Sequence, residues 1–221
     1  HTANRRQRQM CIRDRHDSMQ VVKPFVRLSA AVLGRYNWGG WQGYGTVYQD
    51  GALWFNQGFV DQLTPMHYHW TTPNGFAQML QGSNESWLPY IQEGVSDGRL
   101  FSVGPGSYIL ADQNLWDNHT GIVNIVQNIE FVDGFQFFSN GTWEDYQYWQ
   151  EAGNTFFKEK TIIRYLPEHE NTSGVTPSPN CQIEQIDELN YQLNVTRNSQ
   201  GSPVWTVLSI TPADRANVSP L

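Results

Sequence analysis

Cysteine, long apolar runs and basic residues are all scarce in this chain of 221 residues. The two cysteines, Cys11 and Cys181, are too few for a disulfide framework or for a zinc site built from cysteine thiolates. No segment reaches the roughly 18–20 consecutive apolar residues that a transmembrane helix requires. We therefore predict no membrane span in this chain.

Basic residues are concentrated at the amino terminus. Five of the fourteen Lys and Arg residues lie within the first fifteen positions: Arg5, Arg6, Arg8, Arg13 and Arg15. We interpret residues 1–17 as a non-native tail that packs against nothing, the alternative being a basic arm for nucleic acid. Residues 18–221 contain 9 basic and 19 acidic side chains. That negative surface repels polyanions, which argues against nucleic acid as a partner.

Apolar, strand-like segments recur along the first two thirds of the chain. They begin at Phe25, Phe59, Leu100 and Phe135, at spacings of 34, 41 and 35 residues. Helix-like segments alternate with them, over residues 47–57, 76–93 (interrupted by Gly82 and Pro89), 121–131 and 143–157. Such alternation is typical of βα units, whose strands lie parallel and adjacent and are joined by right-handed connections. The pattern predicts an α/β fold, the C-terminal half (about four βα units) of a TIM (β/α)8 barrel.

The composition changes after Tyr165. Residues 166–180 are rich in Pro, Ser, Thr and Gly, which is typical of a linker. Residues 181–186, 189–196 and 204–210 then have the pattern of short strands. We predict a partial barrel over residues 18–165 and a truncated β-sandwich, fibronectin type III-like, over residues 181–221.

Imidazole and aromatic side chains follow the second strand-like segment directly. A helix is predicted to end at Gly58 in the left-handed conformation, and the strand over 59–63 comes next. Four ring-bearing residues lie just beyond it: His67, Tyr68, His69 and Trp70. Open α/β sheets and TIM barrels bind ligands at this end of their strands. If the strand continues, His67 and His69 point to one face, with Tyr68 opposite.

We predict hydrogen bonding rather than metal binding for this histidine pair. A zinc site needs three or four protein ligands, and the sequence places no third candidate beside His67 and His69. The alternative is that these histidines are satisfied by neighbouring groups of the fold. No cofactor is predicted either.

Several short motifs carry a family resemblance. They are Lys23-Pro24-Phe25, Tyr48-Gln49-Asp50 through Trp54 and Gly58, Val60-Asp61…Pro65…Tyr68…Trp70, Gly104…Tyr108, and Gly134-Phe135…Phe138-Ser139. In order and spacing these motifs resemble glycosyl hydrolase-like family ten, TIM-barrel proteins related to bacterial envelope glycosidases, over about residues 20–165. The resemblance implies an extracytoplasmic or secreted protein, associated with the cell envelope, that acts on a polysaccharide. It also implies catalytic acidic residues in the part of the barrel that this chain does not contain.

Side chains in the predicted βα loops suit a sugar. Sugars present apolar CH faces and many hydroxyl groups, so they are held by flat aromatic rings together with polar groups. The candidate substrate-binding residues are Tyr36, Trp38, His67, Tyr68, His69, Trp70, Tyr108, Asn140 and Trp143. The alternative is ordinary packing of barrel loops.

Acidic residues form no convincing catalytic pair. Glycoside hydrolysis normally requires two carboxylates across the scissile bond. We interpret Asp61, Asp112 and Asp117 as structural, and we place Glu144 and Asp145 at the start of the last helix, where acids interact favourably with the helix dipole. Catalytic residues are therefore not assigned. The sequence predicts a glycoside hydrolase-like protein whose substrate this chain contacts, or, alternatively, a non-catalytic carbohydrate-binding barrel.

Overall fold

A computed structural model describes residues 2–24, 26–39, 41–158, 180–185 and 191–196 of the chain. The chain divides into two compact units, His1–Glu170 and Asn171–Leu221. This boundary falls within the segment 166–180 that the composition predicts to be a linker.

The first unit is built from short strands and helices. Its strands, within the described residues, are β1 (Ser29–Leu33), β2 (Asn37–Trp38), β3 (Trp41–Gln42), β4 (Gln62–Met66), β5 (Leu100–Val103) and β6 (Gly134–Phe135). The helices described there are α1 (Thr2–Val22), α2 (Gly43–Thr46), α3 (Gly51–Asn56), α4 (Pro73–Gln81), α5 (Leu88–Ser96), α6 (Ser107–Asp112), α7 (Asn118–Val126), α8 (Asn140–Asp145) and α9 (Trp149–Asn154).

Strands β1, β4, β5 and β6 form one parallel sheet in that order. Ser29 pairs with Gln62, and Gln62 pairs in turn with Leu100, so the first three strands are in register at this row. Ser102 pairs with Gly134 at the last strand. The prediction of four parallel strands, adjacent in chain order and alternating with helices, is confirmed. Strands β2 and β3 form a separate antiparallel hairpin.

The predicted helices are present but shorter than expected, because local caps and breaks set their ends. The carboxylate of Asp50 accepts a hydrogen bond from Leu53 N–H at 3.3 Å, so α3 begins at Gly51 rather than near residue 47. The Thr72 side chain caps α4 in the same way, and Pro73 occupies its first turn. The segment predicted over 76–93, with interruptions at Gly82 and Pro89, is two helices: α4 is capped at Gly82, and Pro89 lies in the first turn of α5. The segment predicted over 143–157 is likewise divided between α8 and α9.

The apolar core lies on the sheet and under its helices. Every residue of β5 is buried, as expected for an inner strand of a parallel sheet. Leu63 on β4, Phe55 on α3, Phe76 on α4 and Val126 on α7 belong to the same buried cluster. Burying a side chain of this kind contributes roughly 1.5–3 kcal/mol. The core therefore holds the sheet against its helices. The candidate site lies at the carboxyl ends of the strands of this sheet.

Three glycines occupy positions that other residues fit poorly. Gly58 closes α3 with φ of +72°, as the sequence predicts. At the carboxyl edge of the sheet, a Cβ on Gly34 would collide with the carbonyl oxygen of Met66. A Cβ on Gly104 would lie 2.6 Å from the carbonyl oxygen of Pro65. The loops after β1 and β5 therefore approach the backbone of the last two residues of β4, Pro65 and Met66.

Helix α1 contacts the rest of its unit, contrary to the prediction that residues 1–17 pack against nothing. Ile12 packs against the core cluster, and the ring of His16 lies 6.2 Å from that of Phe59. The two residues are four positions apart, which places them on one face of the helix. The prediction is wrong for Ile12 and His16. These two side chains pack against the rest of the unit although the mean hydropathy of the helix is low.

The second unit is described over two strands. Strands β7 (Asn180–Gln185) and β8 (Tyr191–Thr196) are antiparallel, with Asn180 opposite Thr196. The strand predictions over 181–186 and 189–196 are thus confirmed to within one or two residues. The strand predicted over 204–210 lies outside the described residues.

Candidate functional site

Three aromatic side chains meet beyond the carboxyl ends of β4, β5 and β6. The ring of Tyr68 stacks on that of Phe138, with 5.2 Å between centroids and 23° between planes. Tyr108 contacts both rings edge-on, at 5.7 and 5.8 Å. Phe138 is 51% exposed, while Tyr68 and Tyr108 are half-buried. We call these three residues the aromatic platform.

Backbone hydrogen bonds hold the platform in place. The N–H of Phe138 donates to the carbonyl of Pro105 at 3.0 Å, and Tyr108 N–H donates to the carbonyl of Phe138 at 3.4 Å. The Phe138–Ser139 peptide bond is cis. Burial, followed by the charge of Tyr108, raises the pKa of Tyr68 above its ordinary value. The Tyr68 hydroxyl therefore stays protonated at neutral pH and can both donate and accept a hydrogen bond.

Tyr68 and Tyr108 were both predicted as site residues, and the structure brings them together. Phe138 was not among the predicted site residues. In the sequence it belongs to the Gly134-Phe135…Phe138-Ser139 motif near the end of the fourth strand-like segment. That motif and its position were the available signals, since Phe138 follows a strand as Tyr68 and Tyr108 do.

His67 lies beneath the site rather than at its surface. It is 0% exposed, and four rings surround it at centroid distances of 5.4–6.4 Å: those of Trp70, Phe76, Trp87 and Phe101. Its Nδ1 accepts a hydrogen bond from Gly104 N–H at 3.3 Å. Burial lowers the pKa of His67 to about 3, so the ring is neutral. A direct contact between His67 and a sugar would require the surrounding rings to move.

The chain turns after β4, which separates the two histidines. The strand ends at Met66, and His67 N–H donates to the carbonyl of Pro65 at 3.1 Å. The strand does not continue, so the condition under which His67 and His69 would share a face is not met. His69 is exposed while His67 is buried. Trp70 is half-buried and packs against the core cluster.

Tyr36 and Trp38 belong to a different part of the unit. Tyr36 packs against Tyr44 and Tyr90, at 5.4 and 4.9 Å, and its hydroxyl donates to the carboxylate of Asp50 at 2.8 Å. Burial and that hydrogen bond raise the pKa of Tyr36. Trp38 is half-buried on the β2–β3 hairpin. Tyr36 therefore serves packing, with its hydroxyl already engaged.

The hairpin that carries Trp38 is fastened by Glu85. One carboxylate oxygen of Glu85 accepts from Gly39 N–H at 3.0 Å, and the other lies 3.6 Å from the guanidinium of Arg35. The side-chain amide of Asn37 adds a hydrogen bond to the Tyr90 hydroxyl at 2.8 Å.

Trp143 is part of a buried hydrogen-bond network. It is 3% exposed, and its Nε1–H donates to the hydroxyl of Ser107 at 2.8 Å. That hydroxyl lies 2.8 Å from Nε2 of His119, whose Nδ1 lies 2.8 Å from the carbonyl of Trp116. The geometry is satisfied if Ser107 donates to Nε2 and His119 donates from Nδ1. Burial lowers the pKa of His119, and its hydrogen bond to the Trp116 carbonyl opposes that shift.

The serine and histidine of this network do not form a nucleophilic site. Ser107 and His119 are both fully buried, so no substrate atom can reach the hydroxyl. They join α6 and α7 to Trp143 on α8. Sequence reasoning missed them because residues twelve positions apart form no recognisable motif.

A cavity of about 420 Å³ opens beside the platform. Its walls are the rings of Phe135, Phe137, Trp143, Trp149 and Phe157, with the small residues Ala152 and Gly153 between them. Ser139 and Asn140, which follow Phe138 in the chain, contribute the polar groups. Asn140, a predicted site residue, is exposed there. We call this cavity the aromatic pocket.

The acidic residues serve local structure or lie at the surface. Asp61 is buried and accepts a hydrogen bond from Leu28 N–H at 2.6 Å, at the end of β4 opposite the platform. Glu144 and Asp145 end α8 rather than starting a helix, so the helix-dipole reason given for them is wrong. Glu144 accepts a hydrogen bond from Trp149 Nε1–H at 2.9 Å. Within the described ranges, no three His, Cys, Asp or Glu side chains are grouped so as to hold a metal ion.

No protein-family model and no curated protein matches this chain. Of the helices described above, none combines the length and the apolar character needed to cross a membrane.

Proposed function

We propose that this chain is the carbohydrate-contacting part of a glycoside hydrolase-like protein, one that acts on a cell-envelope or extracellular polysaccharide. Its parallel sheet would be the C-terminal half of a TIM barrel of the glycosyl hydrolase-like family ten type. The aromatic platform of Tyr68, Tyr108 and Phe138 would be the face on which a sugar ring stacks.

The platform is the single observation that carries this proposal. A pyranose ring has an apolar face of CH groups and an edge of hydroxyl groups. Phe138 presents an exposed apolar ring, and the Tyr68 and Tyr108 hydroxyls offer hydrogen bonds beside it.

The position of the platform supports the same proposal. The platform residues follow β4, β5 and β6, which are neighbours in a parallel sheet. Ligands of open α/β sheets and of βα barrels bind beyond the carboxyl ends of their strands. Four parallel strands in chain order, with helices between them, are also what consecutive units of a barrel require.

A non-catalytic carbohydrate-binding barrel is the alternative. The residues directly after β4, β5 and β6 favour it, since the segments 67–70, 104–108 and 136–140 contain aromatic, amide and small side chains without a carboxylate. Hydrolysis needs a pair of carboxylates at such positions. In the proposed enzyme that pair comes from the part of the barrel outside this chain.

Phe138→Ala tests the binding role. Affinity for soluble β-glucan, xylan and chitin oligosaccharides, measured by isothermal titration calorimetry, should fall roughly tenfold, which is about 1.4 kcal/mol. Tyr146→Ala is the matched control, because Tyr146 is also 51% exposed but stacks on Trp116 instead of the platform. If the parent and Phe138→Ala bind these oligosaccharides equally well, the platform is not the sugar-binding site.

Reducing-end release in the same mixtures separates the two functions. If the longest protein that contains this sequence releases new reducing ends, the proposal of a glycoside hydrolase is supported. Binding without release supports the carbohydrate-binding alternative.

A further inference from the structure

We infer that the aromatic pocket binds a flat aromatic compound that carries one hydroxyl or carbonyl group. This site is separate from the sugar-stacking platform, and it does not depend on the function proposed above.

The pocket walls form a continuous set of rings. Phe135 and Phe137 stack at 5.7 Å with 10° between their planes. Trp143 lies 4.7 Å from Phe137, and Trp149 lies 4.8 Å from Trp143. Phe157 closes the set, standing at 75° to Phe137 with 6.0 Å between centroids. A flat ring entering this space would meet both faces and edges of aromatic side chains, as in offset-stacked and T-shaped pairs.

The polar groups of the pocket are few and lie together. The indole N–H of Trp149 already donates to Glu144, so it is not available to a ligand. Ser139 and Asn140 adjoin each other at the start of α8 and provide a hydroxyl and an amide. A sugar has hydroxyl groups all around its ring, and most of them would face apolar walls without a hydrogen bond. An aromatic compound with one polar substituent can place that group beside Ser139 and Asn140 and has no other polar group to leave without a partner. It therefore fits the pocket better.

The size of the pocket agrees with such a ligand. A volume of about 420 Å³ lies within the range of small-molecule sites, roughly 300–1,000 Å³. The space exists because Ala152 and Gly153 on α9 have small side chains or none. A Cβ placed on Gly153 would meet no atom within 4 Å. A larger side chain at position 153 can therefore enter the pocket without displacing the fold.

Gly153→Leu tests the inference, with Gly153→Ala as its control. Both variants remove the helix-weakening glycine from α9, but only leucine occupies the pocket. We expect 2-naphthol to bind the parent and Gly153→Ala with sub-millimolar affinity by calorimetry, and Gly153→Leu at least tenfold more weakly. Phe157→Ala is a second test, because Phe157 is 42% exposed and can be truncated with little effect on folding. It should weaken 2-naphthol binding about fivefold.

Two further measurements separate the pocket from the platform. Phe138→Ala should bind 2-naphthol as the parent does, whatever its effect on polysaccharide binding. Xylan and chitin oligosaccharides should not displace 2-naphthol. The inference is overturned if the parent does not bind 2-naphthol, if Gly153→Leu and Phe157→Ala both bind it unchanged, or if the oligosaccharides displace it.

Discussion

Acidification should destabilise the first unit through His67. The pKa of this buried ring is about 3, against about 6.5 for an unfolded histidine. Protonation in the folded state would place a charge among four aromatic rings. It would also put a hydrogen on Nδ1, where Gly104 N–H now donates. The folded state therefore binds this proton only well below the pH at which the unfolded chain binds it.

The sign and size of the effect follow from this difference. Because the folded-state pKa is depressed, the stabilising contribution is complete above pH 6.5 and is lost as the pH falls towards 3. Between these limits the free energy of unfolding should fall by roughly 1 to 2 kcal/mol for each pH unit, on the order of 5 kcal/mol in total. Single domains have about 5–15 kcal/mol of stability, so this one group can bring the fold close to acid unfolding.

His67→Asn isolates the histidine from other titrating groups. The asparagine Oδ1 takes the place of Nδ1 as acceptor for Gly104 N–H, but the side chain does not titrate. Urea unfolding followed by tryptophan fluorescence at pH 7.5, 6.5, 5.5 and 4.5 should give a smaller slope of stability against pH in the variant. A constant loss from the smaller side chain would shift the curve without changing its slope. Parallel curves for the parent and His67→Asn would refute the reasoning.

Two further substitutions should change stability for reasons visible in the structure. Gly58→Ala should lower the free energy of unfolding by about 1–3 kcal/mol in urea titrations, since φ is positive and the new Cβ would lie 2.7 Å from the guanidinium of Arg99; an unchanged midpoint would contradict the assigned conformation. Ser107→Ala should lower the free energy of unfolding by roughly 2–4 kcal/mol, because it leaves both the indole N–H of Trp143 and Nε2 of His119 buried without a partner. Ser107→Thr, which keeps the hydroxyl, should retain part of that stability in the same assay.

The sequence predicts the sheet well because strand–helix alternation is a local signal. Each apolar segment between Phe25 and Phe135 is long enough to be recognised without knowing its neighbours. The boundaries of the helices are harder to predict, since capping by residues such as Asp50 and Thr72 decides where a helix begins. The contact of Ile12 with the core is less predictable still, because it depends on where a helix of mostly polar sequence comes to lie.

The candidate site was predictable only in part. Strand ends identify Tyr68 and Tyr108, because the carboxyl ends of parallel strands meet at one edge of the sheet. The burial of His67 is not predictable in this way, since it depends on aromatic rings of other segments, such as those of Phe76 and Trp87, that enclose it. Phe138 and the Ser107–His119 pair depend on contacts between distant segments. Residue spacing along the chain carries no record of those contacts.

Gly34 and Gly104 limit how this sequence can drift during evolution. At these two positions even a methyl group would strike the backbone at the carboxyl end of β4, so selection should reject every substitution, including alanine. The residues of the platform and the pocket face no such barrier and can be exchanged as ligands change. Distant descendants of a common ancestor would then retain the two glycines, seventy positions apart, after their binding residues had diverged. That pair, together with the strand spacing, offers a way to recognise kinship when overall identity has faded.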